Sequence, residues 1–231
     1  LGGLCEQIGK IPQRFRDFFT APLLSEASIH SNTGGVFKGF YKDKAGVGKF
    51  GGSGENALAR IMGEISLRLP VLSNFACAVF QEDAARFAQS ARERFSQLDV
   101  AYFDPPYNQH PYGSNYFMLN LITDFINDGK RPNAAGLSRV SGIPADWNRS
   151  AYNKKSSAAE EFFALLAKFP AKFLIISFNS EGFISKVEFL KNLAHIGSVR
   201  TIEIRYPTYR ASRNLNAREL YVTEFLYVVQ K

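Results

Sequence analysis

The stretch Val100-Ala101-Tyr102-Phe103-Asp104-Pro105-Pro106-Tyr107 decides how this chain is organised. Its first four residues are apolar and include a β-branched residue and two aromatic rings, which predicts a short buried strand. Two prolines cannot continue a central strand, so the chain must leave the sheet at Asp104. A carboxylate, a stiff backbone and an aromatic ring therefore follow the carboxyl end of a strand, where open α/β sheets bind their ligands.

Strands and helices alternate on both sides of this stretch. A first amphipathic helix around Phe15–Phe19 is expected to end before Pro22. Further helices are predicted over residues 55–69, 84–95, 114–127, 156–168 and 188–194, and strands over residues 75–80, 172–178, 200–206 and 219–229. This order predicts an α/β fold with a parallel sheet covered by helices, in which the last two strands pair antiparallel if they are neighbours.

Composition and charge indicate which partners and which compartment suit this chain. The chain has 231 residues, a net charge of +7 and an isoelectric point near 9.4. A basic domain suits a polyanion such as nucleic acid, although a basic surface without a partner explains the charge equally well. No apolar run is long enough to cross a bilayer and no secretory signal opens the chain. Cys5 and Cys77 are too few for a disulfide framework, so a reducing cytoplasm is expected, with Cys77 as a small core residue.

Two regions outside the predicted sheet carry basic, amide and aromatic side chains. Residues 1–74 are interpreted as an N-terminal region with a Gly-rich loop, in which Lys38, Tyr41 and Lys42 contact DNA or lie on a flexible surface loop. Its glycines fit neither a P-loop nor a dinucleotide fingerprint. Residues 75–231 are interpreted as the catalytic domain. Within it the long polar segment 128–156 is predicted to read base edges through Arg139, Asn148 and Arg149.

A family resemblance rests on several of these motifs. Asp104-Pro105-Pro106-Tyr107 resembles the signature of amino-methyltransferases that use S-adenosylmethionine. Together with Asn108 and the pair Asn115-Tyr116, it is similar to adenine-specific (N6) DNA methyltransferases of bacterial modification systems. Residues 173–182, the tail 219–229 and, more weakly, residues 32–42 also resemble segments of those enzymes.

The resemblance implies a class I, Rossmann-like methyltransferase sheet, mostly parallel with an antiparallel C-terminal strand. It implies a catalytic role for Asp104, Pro105, Pro106 and Tyr107. It also implies that Asp83, with Ala84 and Asp104, contacts the methyl donor S-adenosylmethionine, although Asp83 is equally placed to cap the following helix. No catalytic metal is expected. Contacts with the target base or the DNA backbone are predicted for Asn108, Tyr116, Ser177, Asn179, Lys38, Tyr41, Lys42, Arg139, Asn148, Arg149, Arg210 and Arg213.

The chain departs from the family pattern at its N-terminal side. The Phe-x-Gly-x-Gly loop that holds the methionine end of the donor has no match before residue 30, and the first residue is Leu. We therefore predict a sheet that is incomplete at its N-terminus. A complementary N-terminal segment or a second subunit would complete it.

These features predict a restriction-modification methylase that acts on adenine N6 in double-stranded DNA. Asp at position 104 favours adenine within the family pattern. Two alternatives remain open on the sequence. One is a DNA-binding remnant or a subunit of a split methyltransferase without activity of its own, and the other is an RNA amino-methyltransferase.

Overall fold

A computed structural model of the protein describes residues 1–33, 41–130, 136–138, 143, 146–147, 149–208 and 219–231. The helices are α1 (Gly2–Gly9), α2 (Gln13–His30), α3 (Leu58–Met62), α4 (Ala84–Arg94), α5 (Tyr112–Asn115), α6 (Phe117–Asp128), α7 (Ala158–Lys168) and α8 (Lys186–Leu193). The strands are β1 (Leu98–Phe103), β2 (Ala171–Asn179), β3 (Ser198–Pro207) and β4 (Tyr221–Gln230). In these ranges no helix combines the length and the apolar character needed to cross a membrane.

Two compact units divide the chain, and the first is helical. It comprises residues 1–76 and 112–148. Apolar side chains of α1, α2 and α6 meet in one buried cluster, which contains Cys5, Ile8, Leu23, Ala27, Ile122 and Ile126. This packing explains why residues 112–128 group with the N-terminal region, whereas the sequence division assigned them to the catalytic domain. Gly129 ends α6 in the left-handed conformation (φ 65°), which a glycine adopts without strain.

The second unit comprises residues 77–111 and 149–231 and contains the sheet. Its strand order is β1-β2-β4-β3. β1 pairs in parallel with β2, whereas β4 pairs antiparallel with both β2 and β3. The predicted α/β class and the antiparallel pairing of the last two strands are confirmed, and β1–β2 is the parallel pair among the strands described.

One face of this sheet is buried beneath helices α4, α7 and α8. Its most buried side chains come from β2 and β4, and each is at most 8 % exposed: Leu174, Ile176, Phe178, Phe225, Tyr227 and Val229. Phe189 of α8 stacks on Tyr227 with ring centroids 4.6 Å apart. The Tyr227 hydroxyl is buried without a hydrogen-bond partner among the described residues, and burial raises its pKa.

Lys231 joins the end of α7 to the sheet. Its ammonium group donates hydrogen bonds to the carbonyl oxygens of Ala167 (3.0 Å) and Phe169 (2.7 Å). Its backbone N–H donates to the Lys172 carbonyl oxygen at 2.9 Å. The last turn of a helix leaves carbonyl groups without partners inside the helix, and here Lys231 supplies two of the missing donors.

Four sequence predictions for the region before residue 81 are wrong. The predicted strand 75–80 is not a strand, and Cys77 is exposed, because no strand of the described chain lies beside this segment to pair with it. Of the predicted helix 55–69, only Leu58–Met62 (α3) forms an α-helix. The helix expected to end before Pro22 continues to His30, because burial of Leu23 and Ala27 outweighs the hydrogen bond that proline cannot donate.

The predicted burial of β1 is wrong on one face. Ala101 is buried, but Val100 and Tyr102 on the opposite face are 53 % and 61 % exposed. The periodicity of an apolar run cannot show whether both faces of its strand are covered, because that depends on which other elements pack there.

Candidate active site

The backbone leaves the sheet at the carboxyl end of β1. Asp104 follows the last residue of the strand and is exposed, whereas Pro105 is buried beside it. In the described part of the chain the Asp104 carboxylate forms no hydrogen bond and no ion pair. The fold therefore presents an unpaired acceptor to solvent at the sheet edge that the sequence predicted.

Two hydrogen bonds hold the backbone after Asp104 in place. The Tyr107 carbonyl oxygen accepts from the Phe183 backbone N–H at 2.9 Å, and the Asn108 carbonyl oxygen accepts from the Asn153 side-chain amide at 2.8 Å. The Tyr107 ring also packs edge-on against Phe178, with centroids 6.2 Å apart. Together with the two proline rings, these contacts fix the segment 104–108 in one conformation.

A narrow apolar cavity lies beneath this segment. It is lined by Pro105, Pro106, Tyr107, Tyr152, Ala158, Phe162, Phe178, Phe183 and Ile184. Asp104 is not part of the lining. The cavity is therefore a packing seam against Pro105, Pro106 and Tyr107, and the Asp104 carboxylate lies outside it.

Asp83 caps helix α4. One oxygen of its carboxylate, Oδ1, accepts hydrogen bonds from the backbone N–H groups of Ala85 (3.0 Å) and Arg86 (3.2 Å). The capping role left open by the sequence is thus present in the structure. Ala84 is the first residue of α4 and is exposed. The role of these two residues toward a methyl donor stays a prediction.

The charge of Asp83 also acts on Tyr152, which lines the cavity. Burial, with smaller contributions from Asp83 and Glu161, raises the pKa of Tyr152 to about 12. The phenol is therefore neutral at physiological pH. Its ring packs edge-on against Phe162 with centroids 5.7 Å apart, so Tyr152 contributes packing to the seam.

Asn179 ends β2, and both its amide nitrogen and its amide oxygen form hydrogen bonds. Its amide donates to the Glu224 carboxylate at 2.5 Å, and its side-chain oxygen accepts from the Glu181 backbone N–H at 2.7 Å. The residue is buried, and Gly182 allows the turn to pass close by, since a Cβ there would collide with the Phe178 ring. Asn179 shapes the turn after β2, and its predicted contact with a base stays a prediction.

The remaining predicted contact residues are dispersed. Ser177 is half-buried on the face of β2 opposite Phe178, and Arg149 is exposed in the second unit. In the first unit, Tyr116 precedes α6 with its ring 5.3 Å from that of Tyr112, and half-buried Tyr41 and Lys42 lie in a short turn closed by pairing with residues 48–49. Five predicted residues lie outside the described residues: Lys38, Arg139, Asn148, Arg210 and Arg213.

Asn153 and Phe183 are the positions that sequence reasoning missed. Each contacts the backbone of the 104–108 segment from a distant part of the chain, and Asn153 is 45 residues from Asn108. Neither residue has a motif of its own. The available signal was Ser150, which caps the short 3₁₀ turn Ala151–Asn153 and so predicts local order within the long polar loop.

Asn153→Ala tests the clamp on the Asn108 carbonyl oxygen. We expect a loss of about 1–3 kcal/mol in the free energy of unfolding, because a partly buried acceptor loses its donor. Hydrogen exchange at residues 107–109 should become faster. Denaturant titration measures the loss of stability, and hydrogen-exchange mass spectrometry measures the exchange rate at residues 107–109.

Asn192→Ala is the matched control for this variant. The Asn192 amide also donates to a backbone carbonyl oxygen at 2.8 Å, but within its own helix, at Glu188. Faster exchange at residues 107–109 in this control, or unchanged exchange in Asn153→Ala, would show that the clamp does not order the segment.

The second unit fits a methyl donor only in part. Asp83 and the start of α4 offer a carboxylate and exposed backbone near the candidate site, whereas the adjoining cavity is apolar and belongs to the packing seam. No glycine-rich turn follows a strand before Asp83 in the described residues, because β1 is the first strand there.

One family model and several known methyltransferases match this chain. A family model described as D12 class N6 adenine-specific DNA methyltransferase matches residues 61–183. Type II methyltransferase M.CviAII of Paramecium bursaria Chlorella virus 1 is 30 % identical over 62 % of this chain and 40 % of its own length. Type II methyltransferase M.NlaIII of Neisseria lactamica is 27 % identical over 93 % of this chain and 58 % of its own length.

The chain thus spans about half the length of these relatives. No solved structure matches it at a comparable level of significance. The region matched by the family model contains Asp83, the segment 104–108 and Asn179, so the family match and the candidate active site coincide.

Proposed function

Because the chain belongs to the D12 class N6 adenine-specific DNA methyltransferase family, we propose that it forms the catalytic part of an enzyme that methylates adenine N6 in double-stranded DNA. The observation that carries this proposal is the exposed, unpaired carboxylate of Asp104 at the carboxyl end of β1, on a segment held in place by hydrogen bonds at Tyr107 and Asn108.

Asp104 makes the amine of adenine a better nucleophile. The lone pair of N6 is delocalised into the purine ring, so the amine reacts poorly until its hydrogens are held by acceptors. The Asp104 carboxylate accepts one N–H and the Pro105 carbonyl oxygen accepts the other. Because the prolines and the backbone clamps fix this segment beforehand, the acceptors need little reorganisation during the reaction.

The target base must leave the duplex to reach Asp104. Flipping a base out of the stack costs a few kcal/mol. Stacking on an aromatic ring returns about 1–3 kcal/mol. Tyr107 is the aromatic side chain of the clamped segment, and Asn108 offers an amide beside it. Tyr116, Ser177 and Asn179 remain proposed contacts to the base.

The methyl donor of this family is S-adenosylmethionine, which supplies a methyl group bound to a positively charged sulfur. In this chain Asp83 and Ala84, at the start of α4, are the proposed contacts for the adenosine end of the donor. The described residues offer no binding turn for its methionine end. A complementary segment or subunit is therefore proposed to supply that part of the site.

Basic residues complete the proposed DNA-binding surface. The net charge of +7 favours a polyanion, because each neutralised phosphate releases counterions. Proposed contacts to DNA are Lys38, Tyr41, Lys42, Arg139, Asn148, Arg149, Arg210 and Arg213. The free thiols of Cys5 and Cys77 suit the reducing cytoplasm in which we propose that the enzyme works.

Methyl transfer from tritiated S-adenosylmethionine tests the proposal. The protein is incubated with duplex DNA or with structured RNA of equal length, both alone and with the part of M.NlaIII outside its matched region as the complementary segment, and the label is located by nucleoside analysis. With the complementary segment present, we expect N6-methyladenine in the DNA. Label in RNA alone would identify the RNA enzyme.

Calorimetry separates the remaining alternative. An absence of both methyl transfer and heat with millimolar S-adenosylmethionine, while duplex DNA still binds, would identify a DNA-binding remnant or an isolated subunit. Heat from donor binding without methyl transfer to either nucleic acid would contradict the assignment of the substrate.

A further inference from the structure

Residues 180–183 form a tight turn directly after β2, called the β2 turn below. The Asn179 side-chain oxygen accepts from the Glu181 backbone N–H at 2.7 Å, and the Asn179 backbone carbonyl oxygen accepts from the Gly182 N–H at 3.0 Å. A Cβ on Gly182 would collide with the Phe178 ring, so the turn passes close against the end of the sheet. The path of the β2 turn therefore depends on how the Asn179 side chain is oriented.

Strand β4 holds the same turn from its other side. Glu224 lies opposite Asn179 in the pairing of β2 with β4, and its carboxylate accepts a hydrogen bond from the Asn179 side-chain nitrogen at 2.5 Å. The Ser180 N–H donates to the Thr223 carbonyl oxygen at 2.9 Å, and the Ser180 hydroxyl oxygen accepts from the Thr223 N–H at 3.0 Å. The acceptor on β4 and the donor at Glu181 together set which way the Asn179 amide points.

The β2 turn also contacts the candidate active site. The backbone N–H of Phe183 donates to the Tyr107 carbonyl oxygen at 2.9 Å. Phe183 and Ile184 line the cavity against the two prolines of the segment 104–108. A shift of the turn would therefore withdraw a hydrogen-bond donor and packing from the segment that carries Asp104.

The hydrogen bond between Glu224 and Asn179 is of a strong kind. A bond between an amide donor and an ionised carboxylate is about twice as strong as one between neutral groups. Asn179 is only 6 % exposed, so water cannot readily replace the carboxylate as acceptor. Among the described residues Glu224 forms no ion pair with a cationic side chain, and Asn179 is its side-chain partner there.

We propose that Glu224 is a positioning residue for methyl transfer. Its carboxylate orients Asn179, Asn179 sets the β2 turn, and the turn holds the Tyr107 carbonyl oxygen through the Phe183 N–H. This role requires no contact between Glu224 and the methyl donor or the base. The inference rests on the proposed function, because a displacement of about 1 Å in a reaction centre can cost about 10²-fold in rate.

Hydrogen exchange in two variants of Glu224 tests the first part of this chain of contacts. Glutamine retains an oxygen that accepts from the Asn179 amide, whereas alanine retains none. Exchange of the Phe183 amide, followed by NMR in the protein alone, should become about tenfold faster or more in Glu224→Ala, because a buried donor loses its acceptor. In Glu224→Gln the change should stay within about threefold.

Kinetics of methyl transfer to duplex DNA test the second part, with the complementary segment present. We expect kcat of Glu224→Ala to fall about tenfold to a hundredfold, while the KM values for donor and DNA change little. Glu224→Gln should recover most of kcat. If the Glu224 carboxylate instead acted directly on the base or the donor, both variants would lose the same activity.

Glu203→Ala is the matched control. Glu203 lies on the neighbouring strand β3, and its carboxylate pairs at the surface with the Lys186 ammonium at 2.6 Å. An exposed pair contributes little, so Phe183 exchange and kcat should both stay unchanged. If Glu224→Ala does not fold, Ser180→Ala tests the same turn, because it removes the acceptor of the Thr223 N–H.

Three results would overturn the proposal: unchanged exchange at Phe183 in Glu224→Ala, equal loss of kcat in Glu224→Ala and Glu224→Gln, and the same loss in Glu203→Ala. Failure of the proposed function looks different. In that case the unmodified protein transfers no methyl group to DNA with or without the complementary segment, and the exchange rates alone decide whether Glu224 holds the segment at Tyr107.

Discussion

Asp104→Asn is expected to reduce methyl transfer to adenine by about 10²–10³-fold, the usual effect of removing one preorganised polar group from a reaction centre. The amide keeps the size of the side chain but loses the negative charge that draws on the N6 hydrogens. Since the Asp104 carboxylate has no partner within the described chain, the change should leave the free energy of unfolding unaltered. Initial rates of methyl transfer and denaturant titrations measure the two effects.

Asp99→Asn serves as the control for this variant because Asp99 lies in β1, the strand that Asp104 follows. Its carboxylate pairs with the Lys172 ammonium at 2.7 Å, and this contact lowers the pKa of Asp99. An exposed pair of this kind contributes little to stability. Methyl transfer should therefore survive in Asp99→Asn. Equal activity of Asp104→Asn and the unmodified protein would refute the assigned role of Asp104.

Phe189→Ala is expected to lower the free energy of unfolding by about 3–5 kcal/mol, the cost of truncating a fully buried aromatic side chain. Phe189 is 0 % exposed, and its ring lies among those of Phe162, Phe163, Phe178 and Tyr227, with centroids 4.6–6.3 Å away. Because Phe178 also packs against Tyr107, the cavity should loosen the segment after β1. Denaturant unfolding measures the loss.

Phe75→Ala provides a matched truncation at the surface. Phe75 is 88 % exposed, so the same change should alter the free energy of unfolding by no more than about 0.5 kcal/mol. Similar losses in the two variants would mean that Phe75 is buried in solution and that the arrangement of residues 75–80 differs from the one described.

The strands and helices that the sequence located correctly have their partners within the described chain. β2 alternates between a covered and an open face, and its central position beside β1 and β4 agrees with its apolar run. The segment 75–80 has similar β-forming residues, but no strand of the described ranges lies beside it. Strand propensity reflects packing against neighbours more than a backbone preference, so local sequence cannot show whether a strand forms.

The candidate site likewise has some features that the sequence predicted and others that it could not predict. The exit of the chain at Asp104 followed from two adjacent prolines, and the cap at Asp83 followed from its place before a helix. The contact of Asn153 with the Asn108 carbonyl oxygen was not predictable, because it joins positions 45 residues apart through a loop without a periodic pattern. The engagement of Asn179 with Glu224 likewise requires the register of β2 and β4.

The contact between Lys231 and α7 has a consequence for biosynthesis. The carbonyl groups at the end of α7 receive their donors from a residue more than 60 positions later, after β4 has paired with β2. While the ribosome is still translating β3, this helix end must rely on water. A nascent chain halted at that point should therefore fray at α7 and become vulnerable to proteases there, until β4 and Lys231 emerge and dock.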